Sequence, residues 1–201
     1  LLLHAGLAFD ALKGSVSKLP EEIDELAGLV LSRRRAVAER LARFTMPQGA
    51  SLRIRIHGDY HLGQVLRSKG DFVILDFEGE PARSLGERRA KQSPMKDVAG
   101  MLRSFSYAAY AGLLKATTRR PGDRSRLDPW ARLWEHSVGG AFLHAYRHAT
   151  QGSGVVPAED ESFRQLLEVY TLDKALYELV YELNNRPAWV RIPLNGILEI
   201  P

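Results

Sequence analysis

Two acidic motifs flank a short pair of predicted strands in the first half of the sequence. Asp59 lies in the run His-Gly-Asp, and Asp76 lies in Asp-Phe-Glu-Gly directly after an apolar run. Gln64 follows Asp59 by five residues. In phosphoryl transfer one carboxylate receives the acceptor hydroxyl, while a second carboxylate and an amide oxygen hold magnesium against the phosphates. The order and spacing of these three residues predict that chemistry.

Three other polar residues near the two motifs have predicted roles that are not catalytic. His57 is predicted to bond the backbone of the loop that carries Asp59. Asp97 lies in the first turn of a predicted helix and is predicted to brace the same loop. His61 is predicted either to stabilise the loop or to contact the substrate. These residues would support the site rather than react.

A β-hairpin is predicted to position both motifs. Residues 52–56 alternate apolar and arginine side chains, which favours a strand. Val65-Leu66 and the run 72–75 are predicted to pair around a turn at Lys69-Gly70-Asp71. Both acidic groups would then lie at one end of the hairpin, where a divalent cation relieves the repulsion between carboxylates.

The remainder of the chain is predicted to be mainly helical, with polar or irregular segments at 79–92 and 117–128. Apolar residues recur at helical spacing in five segments, which are 1–11, 20–41, 94–109, 130–148 and 161–184. The predicted fold class is therefore α+β and mainly helical. It corresponds to the C-terminal lobe of a protein-kinase-like fold, with a small β-hairpin carrying the catalytic and metal-binding loops.

Composition excludes several other classes of protein. The chain has 201 residues, no cysteine, a net charge of +4 and 45% apolar residues. Basic residues form no long stripe with interleaved aromatics, so no nucleic-acid partner is expected. No apolar run is long enough to span a bilayer, so no membrane partner is expected. The absence of cysteine fits a cytoplasmic location, and a nucleotide suits the excess of positive charge.

The motifs and their surroundings resemble the maltokinases, bacterial members of the aminoglycoside-phosphotransferase-like kinase superfamily. The resemblance is carried by five segments, which are 57–66, 76–83, 93–105, 173–178 and 184–187. It implies transfer of the γ-phosphate of ATP to the anomeric hydroxyl of maltose, with Mg²⁺ as cofactor. The product, maltose 1-phosphate, would feed α-glucan and glycogen synthesis.

The resemblance also implies roles for individual residues. By position, Asp59 matches the catalytic aspartate, and Gln64 and Asp76 match the two magnesium ligands. Side chains predicted to contact maltose are His61, Arg83, Tyr107, Lys174, Tyr177, Glu178 and Tyr181. Four of these belong to the last long predicted helix, where the leucines repeat on the opposite, core-facing side.

The resemblance covers only part of a kinase. No glycine-rich phosphate loop and no strand with a nucleotide-binding lysine precedes Asp59. Residues 1–201 are therefore predicted to be the C-terminal, acceptor-binding lobe, with the N-terminal nucleotide-binding lobe absent and activity requiring that lobe. The segment 191–197 resembles members fused to trehalose synthase, which is a predicted fused or associated partner.

Three alternatives stay open from the residues alone. The acceptor could be an aminoglycoside, choline, homoserine or another sugar, because fold does not determine the acceptor. A non-catalytic pseudokinase docking module is disfavoured because it would not need Asp59, Gln64 and Asp76 together. A metal-dependent hydrolase would need more histidine and aspartate near the site than this sequence provides.

Overall fold

The computed structural model describes residues 1–47, 52–81 and 83–199. The chain divides into two compact units. One comprises Leu1–Pro47 and Glu168–Pro201, and the other comprises Gln48–Leu167. Both predicted acidic motifs belong to the second unit.

The first unit is helical. Its helices are α1 (Leu2–Ser15), α2 (Glu21–Ser32), α3 (Arg34–Arg43), the later part of α7 (Asp160–Asn185) and α8 (Arg191–Leu198). Their apolar faces share one core that includes Phe9, Leu12, Leu176 and Leu194. Burying large aliphatic and aromatic side chains together is the main favourable contribution to the stability of such a unit.

The segment predicted as one helix over 20–41 consists of two. The amide of Arg33 bonds to the carbonyl of Val30 at 3.0 Å, three residues back, so the α-helical ladder is interrupted there. The guanidinium of Arg33 donates to the carbonyl oxygen of Leu198 at 3.2 Å. A contact with the far end of the chain therefore accompanies the break, and the local apolar pattern carries no sign of it.

The second unit contains the predicted hairpin. Strands β1 (Val65–Ser68) and β2 (Asp71–Ile74) are antiparallel, with Val65 opposite Ile74. The two turn residues, Lys69 and Gly70, have φ angles of 49° and 89°. A two-residue turn with two positive φ angles matches the right-handed twist of paired strands, which explains the register. This prediction is confirmed.

The strand predicted over residues 52–56 does not form. Ile54 instead makes one antiparallel bridge with Gln92, with N–O distances of 3.0 and 2.9 Å between the two backbones. The segment after Gln92 turns at Ser93 into a helix, so the ladder has no second rung. The alternating pattern predicted a strand, but a strand also needs a partner over several residues, and the pattern carries no information about that partner.

The second unit also contains three α-helices and the first part of a fourth. They are α4 (Leu85–Arg89), α5 (Met95–Thr117), α6 (Arg124–Ala149) and the first part of α7. Helix α4 lies in a segment predicted to be irregular, and a reciprocal pair of bonds between Ser84 and Glu87 caps it. Helix α6 begins six residues before the predicted start at Trp130 and contains Pro129. The fold class, mainly helical with a small sheet, is confirmed.

None of the helices within the described residues is both long and apolar enough to cross a membrane.

Candidate active site

The loop that carries Asp59 is held by a carboxylate from another element. Asp97, in the first turn of α5, accepts the backbone amides of His57 at 2.7 Å and of Gly58 at 2.9 Å. Both carboxylate oxygens are therefore used on consecutive backbone groups. Hydrogen bonds to a charged acceptor are the stronger kind, so Asp97 holds the loop firmly against α5.

His57 joins the same loop to the hairpin. Its Nε2 atom lies 2.6 Å from the carbonyl oxygen of Leu75, and its Nδ1 atom lies 3.3 Å from the amide nitrogen of Asp59. A carbonyl oxygen only accepts and a backbone amide only donates, so the ring is a neutral tautomer protonated at Nε2. The ring also packs against Tyr60 and Phe77, with centroid distances of 5.5 and 5.1 Å.

Asp59 has a second histidine beside it. Nε2 of His61 is 3.7 Å from Oδ2 of Asp59, and Nδ1 of His61 accepts the amide of Gly63 at 3.0 Å. The accepted bond places the imidazole proton of neutral His61 on Nε2, on the side of Asp59. The Asp59 side chain is 26% exposed, so a solute hydroxyl can reach it.

Gln64 and Asp76 meet across the base of the hairpin. Nε2 of Gln64 is 3.1 Å from Oδ2 of Asp76, and the amide of Leu75 donates to the backbone carbonyl of Gln64 at 2.9 Å. Asp76 adopts a φ angle of 58°, a left-handed conformation that aspartate tolerates better than most residues. This turn directs the carboxylate towards the Gln64 amide rather than along the strand.

The loop that carries Asp59 and the loop that carries Asp76 approach each other closely at two glycines. A β-carbon built on Gly58 would lie 3.3 Å from the α-carbon of Gly79. The φ angles of Gly58 and Gly79 are 84° and 77°, which disfavour side chains with a β-carbon. The two glycines therefore allow the loops that carry Asp59 and Asp76 to lie side by side.

Burial is the main influence on the pKa values of the ionisable groups behind the loop that carries Asp59. It raises the pKa of Asp97, and the bonds from Gly58 and His57 only partly oppose this effect. The pKa of Tyr60 and that of Tyr146 in α6 are raised first by burial and then by the nearby Asp97 charge. Asp97 therefore lies in an aromatic, largely dry environment, where its two hydrogen bonds are strong.

A metal ion would depend on few protein ligands here. Over residues 1–47, 52–81 and 83–199, no three histidine, aspartate or glutamate side chains come together so as to hold a metal. Asp76 offers a carboxylate oxygen, and the amide of Gln64 offers an oxygen once it rotates by half a turn. Magnesium commonly takes one or two protein oxygens and completes its shell with water and phosphate, so this pair fits it.

Two predicted maltose contacts lie on separate elements of the second unit. Arg83 pairs with Glu80 at 3.7 Å and Glu87 at 3.8 Å, at the start of α4. Tyr107 lies half-buried on α5. The role of both in binding sugar stays a prediction.

The other four predicted contacts belong to α7 in the first unit. Leu172, Leu176 and Leu179 are buried as predicted. Glu178 was predicted on the opposite face, but only 8% of it is exposed, because α7 is enclosed over more than its leucine stripe. On the same helix, the Lys174 ammonium lies 5.0 Å from the centre of the Tyr177 ring.

Tyr181 is 45% exposed, and the Arg186 guanidinium lies 5.4 Å from the centre of its ring. The pairing of cations with tyrosine rings accounts for this surface without a ligand. The predicted sugar contacts of Lys174, Tyr177, Glu178 and Tyr181 remain predictions.

Sequence reasoning missed several supports of the loop. Oγ of Ser104 in α5 accepts the amide of Leu62 at 2.9 Å, and Tyr60 packs on His57. A serine seven residues after Asp97 on α5 would lie on the same helical face, which is the signal that could have identified it. The bond from His57 to the carbonyl of Leu75 has no such signal in the sequence, because every residue has a backbone carbonyl.

Two curated relatives and a solved structure that resemble the chain are glucosamine kinases. No family model matches the chain. The chain is 28% identical over 184 residues to a glucosamine kinase from Streptacidiphilus jiangxiensis, covering 88% of this chain and 40% of the relative. It is 33% identical over 138 residues to a glucosamine kinase from Mycolicibacterium smegmatis, covering 68% of this chain and 32% of the relative.

A solved structure has the same fold. It is a glucosamine kinase in complex with glucosamine, ADP and inorganic phosphate, with a TM-score of 0.70, 24% identity and coverage of 97% of this chain and 43% of that chain. The chain thus spans less than half the length of the proteins that it matches.

Proposed function

We propose that this chain is the acceptor-binding part of an ATP-dependent sugar kinase, its whole activity residing in the full-length protein. One observation carries the proposal. Asp59, in a loop held by Asp97 and His57, lies beside the loop in which Gln64 and Asp76 are 3.1 Å apart. A reactive carboxylate next to a two-ligand oxygen site is the arrangement that phosphoryl transfer to a hydroxyl needs.

In the proposed reaction one bond forms, one bond breaks and one proton is transferred. The oxygen of a sugar hydroxyl attacks the γ-phosphorus of ATP, and the bond from that phosphorus to the ADP oxygen breaks. The hydroxyl proton passes to the carboxylate of Asp59, which is partly exposed and has His61 on one side. Most of the rate comes from positioning, because the transition state forms little new covalent bonding. The rigid support of the loop by Asp97 and His57 serves that need.

Magnesium is the cofactor that this proposal includes. Gln64 and Asp76 would hold it, and it would neutralise charge on the nucleotide phosphates. The left-handed turn at Asp76 presents the carboxylate to the Gln64 amide. A complex of one solved relative with ADP agrees with ATP as the phosphoryl donor.

The proposed acceptor is maltose, with maltose 1-phosphate as the product. The motif segments 57–66 and 76–83 support it through their resemblance to the maltokinases. The same resemblance supports trehalose synthase as a fused or associated partner. Glucosamine is a second candidate, because the curated relatives are glucosamine kinases. Acidic and aromatic side chains can bind either maltose or glucosamine, so the residues do not distinguish the two acceptors. Measured kinase activity with each sugar is needed to distinguish them.

An acceptor panel tests the proposal. The full-length protein with magnesium and ATP is assayed for ADP release with maltose, glucosamine, glucose, trehalose and an aminoglycoside, and without acceptor. We expect maltose to give the highest kcat/KM, with release abolished in the Asp59→Asn variant. A higher value with glucosamine would replace the acceptor while preserving the kinase. No acceptor-dependent release from any sugar would overturn the proposed function.

A further inference from the structure

The basic run Arg88-Arg89-Ala90-Lys91 contains one residue directed towards the site. Nη1 of Arg88, in α4, lies 3.5 Å from the carbonyl oxygen of Glu78. The side-chain carbons of Arg88 also cover Gly79, since a β-carbon built on Gly79 would meet its Cγ, Cβ and Cδ at 3.4 to 3.5 Å. Arg89, next in the chain, is exposed. Arg88 therefore contacts the loop that carries Asp76.

Gly79 transmits this contact to the catalytic loop. Arg88 lies on one side of Gly79, and the backbone of Gly58 lies close on another, at 3.3 Å from a built β-carbon to the Gly79 α-carbon. Gly58 immediately precedes Asp59 and is bonded to Asp97. Gly79 is thus a neighbour of both Arg88 and Gly58, and the Asp76 loop links α4 to the loop that carries Asp59.

Helix α4 is itself anchored, so its arginine has a defined position. Ser84 and Glu87 cap the helix reciprocally, and Nε2 of Gln92 donates to the carbonyl of Glu87 at 3.3 Å. Gln92 forms the backbone bridge to Ile54, three residues before His57. The segment that leads out of α4 is therefore joined to the segment that leads into the catalytic loop.

The guanidinium of Arg88 is not placed like that of a surface arginine. Its Nε atom is buried, and in the described part of the chain it makes no hydrogen bond. Leaving a buried donor unpaired is unfavourable, while a surface arginine keeps its head group in water. Packing of the stem against Gly79 is what holds Nε in this place.

We propose that Arg88 is a positioning residue for phosphoryl transfer. Its stem packs over Gly79 and its guanidinium faces the carbonyl of Glu78, so the positive φ angles of Asp76 and Gly79 are kept where this loop lies beside Gly58. Arg55 assists from another direction, with Nη2 3.4 Å from the carbonyl oxygen of Phe77. The catalytic consequence rests on the proposed function, whereas the local ordering does not.

Amide hydrogen exchange tests the ordering in the 201-residue chain, without any assay of activity. Arg88→Ala removes stem and charge, Arg88→Met keeps most of the stem, and Arg89→Met is the matched control. We expect exchange of the 76–80 amides to rise about tenfold or more in Arg88→Ala and about threefold in Arg88→Met, because local opening becomes less costly. Exchange in α1 to α3 and in the control should not change.

If Arg88→Ala fails to fold, the comparison of Arg88→Met with Arg89→Met decides instead. Exchange of residues 76–80 that is equal in all folded variants would overturn the proposal. In the full-length protein we expect Arg88→Ala to lower kcat by about ten- to a hundredfold, with the KM of the acceptor sugar nearly unchanged, because misplacing a reacting group acts on the transition state.

An unchanged kcat in a folded Arg88→Ala variant would also overturn the proposal. A full-length protein that lacks kinase activity altogether would remove the proposed function but leave the exchange result standing. The two failures are therefore distinguishable.

Discussion

Under the proposed function, the residues of the site fall into two groups. One is a carboxylate that would face the acceptor hydroxyl, and the other is a pair that would face the nucleotide. Asp59 is bonded through its backbone to His57, and its side chain is partly exposed. Asp76 faces Gln64 instead. The two aspartates should therefore respond differently to the same substitution.

We expect Asp59→Asn in the full-length protein to lower kcat by about a thousandfold or more, while the KM for ATP hardly changes, because an amide cannot receive the hydroxyl proton. Asp76→Asn should instead raise both the magnesium concentration needed for half-maximal rate and the KM for ATP. Steady-state kinetics over a magnesium series distinguish them. Asp71→Asn, at the far turn of the hairpin, is the control. Near-normal turnover in both variants would refute these roles.

Asp97 gives a prediction about stability and pH. Its two oxygens accept two backbone amides. Asp97→Asn keeps one acceptor but points an amide donor at the other backbone N–H, which should cost about 1–3 kcal/mol of unfolding free energy at neutral pH. Urea unfolding measures this difference. A variant as stable as the wild type would mean that the loop has other support.

The sign of the pH dependence follows from the raised pKa of Asp97. A carboxyl group whose pKa is raised by folding binds its proton more tightly in the folded state. The stability that this proton binding adds is present at low pH and is lost as pH rises through the raised pKa. The wild type should therefore gain stability relative to Asp97→Asn as pH falls from 7 towards 4. A stability difference that stays constant or shrinks over this range would contradict the expectation.

At the scale of elements, the hairpin and helix α5 support the loop that carries Asp59 by lying close to it. A hairpin of two strands is only marginally stable alone, but the Leu75 carbonyl joins this one to His57 in the loop that carries Asp59, and the Leu75 amide joins it to Gln64. Helix α5 supplies Asp97 and Ser104 to the same loop. Gly100 of that helix lies against the backbone of Tyr60.

A pair of glycines in α5 tests this approach. A β-carbon on Gly100 would lie 2.8 Å from the carbonyl oxygen of Tyr60, whereas one on Gly112 would meet nothing within 4 Å. We expect Gly100→Ala to destabilise the protein by about 1–3 kcal/mol, because backbone must move. Gly112→Ala should stabilise it by about 0.5–1 kcal/mol, because alanine favours a helix interior. Thermal unfolding compares the two, and equal shifts would show that α5 does not constrain the loop.

At the scale of the whole molecule, the chain comprises two units and spans less than half the length of the kinases that it matches. No glycine-rich loop that could hold the phosphates of a nucleotide precedes Asp59 in the sequence. The groups that the site contains would position an acceptor and a metal, but they would not hold ATP. Nucleotide binding is therefore the property that we expect the 201 residues to lack.

We expect the purified 201-residue chain to give no sugar-dependent ADP release, because phosphates that are not held cannot be aligned with the acceptor. The full-length protein under the same conditions is the comparison, and circular dichroism shows that the shorter chain is folded. Phosphorylation of maltose or glucosamine by the 201 residues above background would refute this expectation.

The sequence by itself determined what depends on neighbours along the chain. The Lys69-Gly70 turn and the apolar runs around it predicted the hairpin, because turn type and strand register are local properties. The spacing of Asp59, Gln64 and Asp76 predicted that their side chains would gather at the hairpin, where Gln64 contacts Asp76. Their catalytic and metal-binding roles stay predictions. Helical periodicity identified α1, α5, α6 and α7, although Pro129 concealed the true start of α6.

Only the tertiary structure decided how those groups are held. Asp97 reaches amides 39 and 40 residues away, and Arg88 covers Gly79 from a helix that the pattern of residues 79–92 did not predict. The tertiary structure also shows a contact between Arg33 and Leu198 at the helix break, a single bridge from Ile54 to Gln92 in place of a strand, and the burial of Glu178. Each depends on which surfaces pack together, and periodicity within a segment is the same whichever partner that segment meets.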